Sequence, residues 1–150
     1  MEKLTEVAEI TISYKPVNGE KPIVKSSQAA YKELLPFFPS DLIGIQEIFL
    51  AMYLNNAGYV IGVFRVSTGG LTGTVADPRL ILGTALKVAA TGIILAHNHP
   101  SGQLKPSKAD ELLTNKIKQG ALFMDIQVSD HLILSGTSDS YFSFADDGLI

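Results

Sequence analysis

The sequence contains no cysteine, and this absence limits the chemistry that the chain can carry. It excludes disulfide bonds, a cysteine nucleophile and thiolate metal ligands. Any metal site must therefore be built from nitrogen and oxygen ligands. The absence of cysteine also fits a reducing compartment, where disulfide bonds are rare.

Long apolar runs are missing as well. No run approaches the roughly 18 residues that indicate a membrane-spanning helix. The first residues lack the basic and apolar regions of a secretory signal peptide. We therefore expect a cytoplasmic protein without a membrane segment.

The chain also has no excess of positive charge. Its net charge of −3 gives no general attraction to nucleic acid, whose binders usually carry a basic patch or stripe. Four lysines lie close enough in sequence to form a local patch, but solvated helix lysines are the more common arrangement. They are Lys105, Lys108, Lys116 and Lys118. Nucleic acid is therefore an unlikely partner by composition.

The composition is otherwise that of one globular domain. The chain has 150 residues, of which 46% are hydrophobic and 18% are charged, enough to bury a core. Strand and helix patterns alternate without repeats, which predicts an α/β fold of mixed α+β type: a single domain with a mixed central sheet flanked by helices. The apolar strand that ends in His97 should be central, because both of its faces are apolar.

Periodicity and turn residues place the elements. Strands are predicted over residues 6–14, 46–54, 59–66, 71–76, 93–97, 126–135 and 141–144. A first helix is predicted from Ser26 or Ser27 to Leu35. A second begins at Asp77, and its predicted buried face is formed by Leu82, Ala85, Leu86 and Ala89. A third is predicted from Pro106 or Ser107 to Gln119 and is ended by Gly120.

A His-x-His pattern follows the apolar run over residues 93–96. His97 and His99 are two residues apart, so on a strand they point to the same face. Asp110 lies in the first turn of the next predicted helix, where its carboxylate can approach them. Two imidazoles, a carboxylate and an open fourth position form the ligand set of a catalytic zinc ion.

Ser107 and Asp110 have a second interpretation, because Ser with an acidic residue three positions later resembles a capping box. Against a purely structural role, Asp110 shares a helix face with Leu113 and Ile117, at the edge of the apolar stripe that includes Ala109 and Leu112. A carboxylate turned toward the core is costly unless it is paired or binds a metal. Ser107 can cap the helix and still face the site.

A hydrolytic zinc site also needs a general base, and Glu47 is our candidate. It begins a predicted strand whose same-face residues, Phe49, Ala51 and Tyr53, make an apolar and aromatic setting. An ordinary strand-end glutamate remains the alternative. Glu33 and Glu111 are competing candidates, but both fit exposed helix positions.

The segment His97-Asn98-His99-Pro100-Ser101-Gly102, followed by Ser107-x-x-Asp110, resembles the JAMM signature of the JAB/MPN metallopeptidases. More narrowly, the chain resembles their RadC-like branch. The further matches are Glu47-x-Phe49, Leu54-Asn55, Asp77-Pro78-Arg79, Asp130-His131 and Ser143-Phe144-Ala145. The resemblance implies a JAB/MPN (cytidine-deaminase-like) architecture over residues 27–150, with residues 1–26 as an N-terminal strand and loop extension.

The resemblance also implies roles for individual residues. One Zn²⁺ per chain would be held by His97, His99 and Asp110. Glu47 would act as the general base through the water on the metal, and Ser107 would stabilise the oxyanion. Asp130-His131 supports the site or the fold and does not ligate the metal, since the ligand count is already met.

The function implied is a zinc metallopeptidase or isopeptidase, a hydrolase that acts on a peptide or protein substrate. Two alternatives remain. One is a non-catalytic metal-binding scaffold, because some MPN domains act without the motif. The other is a DNA-repair-associated RadC-like protein, as the family name suggests. The sequence leaves the oligomeric state open.

Overall fold

The computed structural model of the protein describes residues 6–70 and 75–150. Its helices and strands follow in this order along the chain: α1 (Ser27–Leu34), a short 3-10 helix (Leu35–Phe37), β1 (Ile48–Leu54), β2 (Val60–Thr68), α2 (Pro78–Lys87), β3 (Gly92–His99), α3 (Lys108–Leu122), β4 (Gln127–Ser135) and β5 (Tyr141–Ser143).

The strands form one mixed five-stranded sheet in the order β2-β1-β3-β4-β5. β1 pairs antiparallel with both β2 and β3, while β3 and β4 run parallel. The parallel pair needs a crossover, and α3 supplies it. β3 is the middle strand and is buried along nearly its whole length, so the prediction that it is central is confirmed.

The sheet is covered by helices on both faces, and each face has its own apolar core. Helices α2 and α3 pack on the face that carries Phe49, Tyr53 and Leu95. Helix α1 packs on the opposite face. The result is a single α/β domain with three helices around one sheet, as the alternation of patterns predicts.

Local capping explains where the helices begin. Ser26 Oγ accepts a hydrogen bond from the backbone N–H of Ala29 at 3.1 Å and starts α1. Asp77 accepts from the N–H of Arg79 and precedes a proline in the first turn of α2. Both starts confirm the sequence prediction, because short polar side chains satisfy the free N–H groups of a first turn.

The strand predicted over residues 6–14 is wrong. Residues 6–22 form neither helix nor strand, and Val7, Ile10 and Ile12 are exposed. Alternation alone does not make a strand, because the backbone groups of a strand need a partner along their length. Backbone pairing with the sheet begins at Ile23, which forms an isolated bridge to Tyr59. Before it, Tyr14 contacts β2 through its side chain, whose hydroxyl donates to the carbonyl of Ile61 at 3.1 Å.

Several predictions on the helices are also wrong. Leu86 and Leu112 are exposed, at 57% and 61%, and Ala89 and Ala109 are exposed as well. Ala89 also lies beyond the end of α2 at Lys87. The helix faces that pack against the sheet are those that carry Ile81 and Ile117. Gly120 does not end α3, which continues to Leu122. A Cβ on Gly120 would lie 2.9 Å from Leu82 Cδ1, so the side chain of Leu82 on α2 packs against α3 at this glycine.

The short strand predicted near residues 71–76 falls largely on residues 71–74, which lie outside the described residues. Among the described residues, no helix is both long enough and apolar enough to cross a membrane.

Candidate metal centre

All three histidines of the chain lie in one cluster at the end of β3. His97 is paired with Phe49 of β1, and His131 of β4 is in register with Leu95 of β3. Since paired residues share a face of the sheet, these side chains all point toward α3. The His-x-His spacing therefore places His97 and His99 side by side, with their Nε2 atoms 3.0 Å apart.

Helix α3 brings Asp110 to this pair of histidines. Asp110 Oδ1 lies 3.4 Å from His97 Nε2, and Oδ2 lies 3.4 Å from His99 Nε2. Asp110 also belongs to a complete capping box. Its Oδ2 accepts from the N–H of Ser107 at 2.8 Å, while Ser107 Oγ accepts from the N–H of Asp110 at 3.1 Å. The cap thus fixes the carboxylate in place while leaving Oδ1 directed at His97.

Glu47 precedes β1 and reaches the same point from the adjoining strand. Its Oε1 lies 3.8 Å from His97 Nε2, and its side chain is 16% exposed. Glu47, His97 and His99 each offer a ligand atom, and these atoms lie within 4.8 Å of one another, so this group could hold a metal ion. Two carboxylates and two imidazoles therefore surround one small volume.

The residues present fit a divalent metal ion by donor type and by spacing. A tetrahedral site with bonds of about 2.0–2.1 Å places its ligand atoms about 3.3 Å apart. The separations around His97 Nε2 are 3.0 Å to His99 and 3.4 Å to Asp110. Imidazole nitrogen and carboxylate oxygen are also ligands that suit zinc, and no thiolate is needed.

The electrostatics of the cluster favour an ionised carboxylate. Partial burial by itself would raise the pKa of Asp110, but the imidazole groups of His97 and His99 beside the carboxylate outweigh this effect and hold that pKa below its ordinary value. The pKa of His99 is raised, chiefly by its hydrogen bond to Asp110 and against the effect of burial. Burial lowers the pKa of His131 well below its ordinary range.

Each histidine of the pair is held through its other ring nitrogen. His99 Nδ1 donates to the backbone carbonyl of Gln103 at 2.6 Å. His97 Nδ1 lies 2.7 Å from His131 Nε2, and His131 Nδ1 lies 2.6 Å from Thr114 Oγ1. His131 thus stands behind His97, away from the two carboxylates, in a supporting position.

The sequence reasoning missed two residues that organise the site. Thr114 is one helical turn after Asp110 on the same face of α3, and that spacing could have indicated it. Asn98 points to the opposite side of β3 from the histidines. Its Oδ1 accepts from the N–H of Ile48 at 2.7 Å, and its Nδ2 donates to the carbonyls of Ile43 and Gln46 at 2.7 and 2.9 Å.

The comparisons with known proteins agree with this architecture. The family model described as "RadC-like JAB domain" matches residues 24–149, and the chain belongs to this family. Among curated relatives, a "UPF0758 protein" of Flavobacterium johnsoniae is 46% identical over 103 residues, covering 69% of this chain and 44% of the relative. A "UPF0758 protein" of Porphyromonas gingivalis is 39% identical over 150 residues, covering 98% of this chain and 64% of the relative.

A third relative is the "UPF0758 protein YeeS" of Escherichia coli. It is 43% identical over 111 residues, covering 73% of this chain and 74% of the relative. The chain spans 44% and 64% of the length of the other two relatives. The names of these three relatives state no activity.

Proposed function

We propose that the protein is a zinc-dependent hydrolase of JAMM type that cleaves a peptide or isopeptide bond. The observation that carries the proposal is the convergence of His97, His99 and Asp110 within 3.0 to 3.4 Å, with Glu47 on the adjoining strand. In this arrangement His97, His99 and Asp110 would hold the zinc ion, and three protein ligands would leave a position open to water or substrate.

The roles of the remaining residues follow from their chemistry. A bound zinc ion polarises the scissile carbonyl and makes water more acidic. Glu47 takes the proton of the attacking water and later gives it to the leaving amine, as a general base and then a general acid. Ser107 Oγ accepts from the N–H of Asp110, so its own proton stays available for donation to the oxyanion.

Two measurements test this proposal. The first is the zinc content of the wild type and of the double variant His97→Ala, Asp110→Ala, for which we expect about one zinc per chain and none, respectively. The second is hydrolysis of a fluorogenic peptide and isopeptide library by Glu47→Gln. This variant is expected to keep zinc and to lose about 10²- to 10⁴-fold in rate, the usual worth of a general base.

Glu111→Gln is the matched control, because Glu111 is next to Asp110 in sequence but lies 3.9 Å from Lys108 at the helix surface. It is expected to keep both zinc and hydrolysis. Loss of zinc from Glu47→Gln would instead make Glu47 a ligand. Retained hydrolysis by Glu47→Gln would reject its role as base.

A further inference from the structure

A chain of three short hydrogen bonds lies behind His97. It connects His97 Nδ1 to His131 Nε2 at 2.7 Å, His131 Nδ1 to Thr114 Oγ1 at 2.6 Å, and Thr114 Oγ1 to the backbone carbonyl of Asp110 at 2.6 Å. The three side chains are at most 2% exposed. Water therefore cannot replace either partner in these bonds. Which atom donates and which accepts is set by the protein groups themselves.

The carbonyl at the end of this chain determines the direction of every bond in it. A carbonyl only accepts, so the hydroxyl proton of Thr114 points to Asp110. That hydroxyl has no second proton, so it accepts from His131, whose Nδ1 must carry hydrogen. A neutral imidazole has one N–H, which makes His131 Nε2 an acceptor and His97 Nδ1 a donor. His97 Nε2 is then left with a free electron pair.

The surroundings of His131 keep it in the neutral form that this direction requires. It has no exposed surface, its ring stacks on Phe144 with centroids 4.7 Å apart, and it meets the edge of Phe49 at 5.4 Å. An imidazolium in such an apolar setting is strongly disfavoured. The position of the proton in the chain is therefore decided by geometry.

We propose that Thr114 and His131 form a relay that holds His97 in the tautomer with hydrogen on Nδ1, so that Nε2 is free to bind the metal. This inference rests on the metal site of the proposed function. Thr114 and His131 are positioning residues, since neither contacts the metal. His99 reaches the same tautomer directly, because its Nδ1 donates to the carbonyl of Gln103.

Loss of the Thr114 hydroxyl is expected to reverse the donor and acceptor roles of His131 and His97. His131 Nδ1 then has no acceptor, and the N–H of this buried ring is satisfied better on Nε2, where it points at His97 Nδ1. His97 must in turn move its own proton to Nε2, the atom that faces the metal. The relay therefore predicts that one hydroxyl group, remote from the metal, controls zinc affinity through the tautomer of His97.

The test compares Thr114→Val, which keeps the shape and removes the hydroxyl, with Thr114→Ser, which keeps the hydroxyl. In zinc-free protein with ¹⁵N-labelled histidine, long-range ¹H–¹⁵N spectra distinguish protonated from unprotonated ring nitrogens. We expect His97 to be protonated on Nδ1 in the wild type and in Thr114→Ser. We expect Thr114→Val to move this proton to Nε2.

Zinc affinity, measured by competition with a chromophoric chelator, is the second readout. Thr114→Val is expected to bind zinc about 10- to 100-fold more weakly, the usual effect of losing a group that orients a ligand, and Thr114→Ser is expected to restore the affinity. Thr84→Val is the control for the helix itself. Thr84 makes the same bond to the carbonyl four residues earlier, at 2.7 Å, but on α2.

A folded Thr114→Val protein with wild-type tautomer and affinity would overturn the relay. If this variant does not fold, His131→Gln and His131→Phe replace it, because the Gln amide oxygen can accept from His97 Nδ1 and Phe cannot. Equal zinc affinity of these two variants would also overturn the relay. Absence of zinc binding by the wild type would reject the metal proposal instead, and the spectra of zinc-free protein would still decide the relay.

Discussion

Asn98, the residue between the two histidines, is expected to stabilise the fold more than any exposed asparagine. Its side chain is fully buried and makes three hydrogen bonds, at 2.7, 2.7 and 2.9 Å, to the first residue of β1 and to the segment that precedes it. A net contribution of about 1 kcal/mol for each bond gives about 3 kcal/mol. Asn98→Ala should lower the free energy of unfolding by this amount.

The assay is urea denaturation of zinc-free protein. The free energy of unfolding extrapolated to water is compared between variants, and its slope against urea concentration should be unchanged. Asn115→Ala is the control, because Asn115 is exposed on α3 and a surface change of this kind usually stays within about 0.5 kcal/mol. Asn98→Ala should still bind zinc, since the bonds of Asn98 reach the backbone around Glu47 and not the histidine rings.

The same substitution should also lower hydrolysis, because Asn98 Oδ1 binds the N–H of Ile48, the residue after Glu47. A loss of stability below about 1 kcal/mol would refute the reasoning, since the three buried backbone groups would then have found other partners. Loss of zinc from a folded Asn98→Ala protein would equally contradict it, because the histidines would depend on Asn98 directly.

Two further predictions concern the core of the fold and the loop beside the site. Burial raises the pKa of Tyr53 well above its ordinary value, so the folded state holds the phenol proton more tightly than the unfolded state. Stability should be complete below about pH 10 and then fall by up to about 1.4 kcal/mol per pH unit as the pH rises further. Tyr53→Phe should remove this fall in an alkaline denaturation series; identical slopes for the two proteins would contradict it. Gly136→Ala should destabilise by about 1 to 3 kcal/mol, because its Cβ would lie 2.5 Å from the backbone oxygen of Pro100. Gly62→Ala, at a position with open space, is its control in thermal melts, and equal losses for both would show that the contact does not matter.

Several features follow from sequence alone because they depend on local geometry. A His-x-His pattern on a strand places both rings on one face, and the structure has them there. Ser107 and Asp110 form the capping box that their spacing predicts. The face shared by Asp110 and Ile117 is also as predicted, since Ile117 is buried. In each case the residues concerned are at most 7 positions apart in the sequence.

Other features depend on contacts between distant segments, which local patterns do not contain. The closeness of Glu47 to His97 comes from the antiparallel register of β1 and β3. The position of His131 comes from the parallel register of β3 and β4. A shift of one residue in either register would turn these side chains to the other face. Periodicity gives the faces of each strand but not its register with a neighbour.

The same distinction explains the errors. Residues 6–14 alternate like a strand, but only a partner can satisfy a strand backbone, and the structure provides none over that range. Gly120 has the local character of a helix end, yet it lies inside α3, where Leu82 of α2 packs against it. The sequence by itself determined the local caps and the shared face of the two histidines. The tertiary structure decided which distant groups meet them, because sheet register and helix packing are properties of the whole fold.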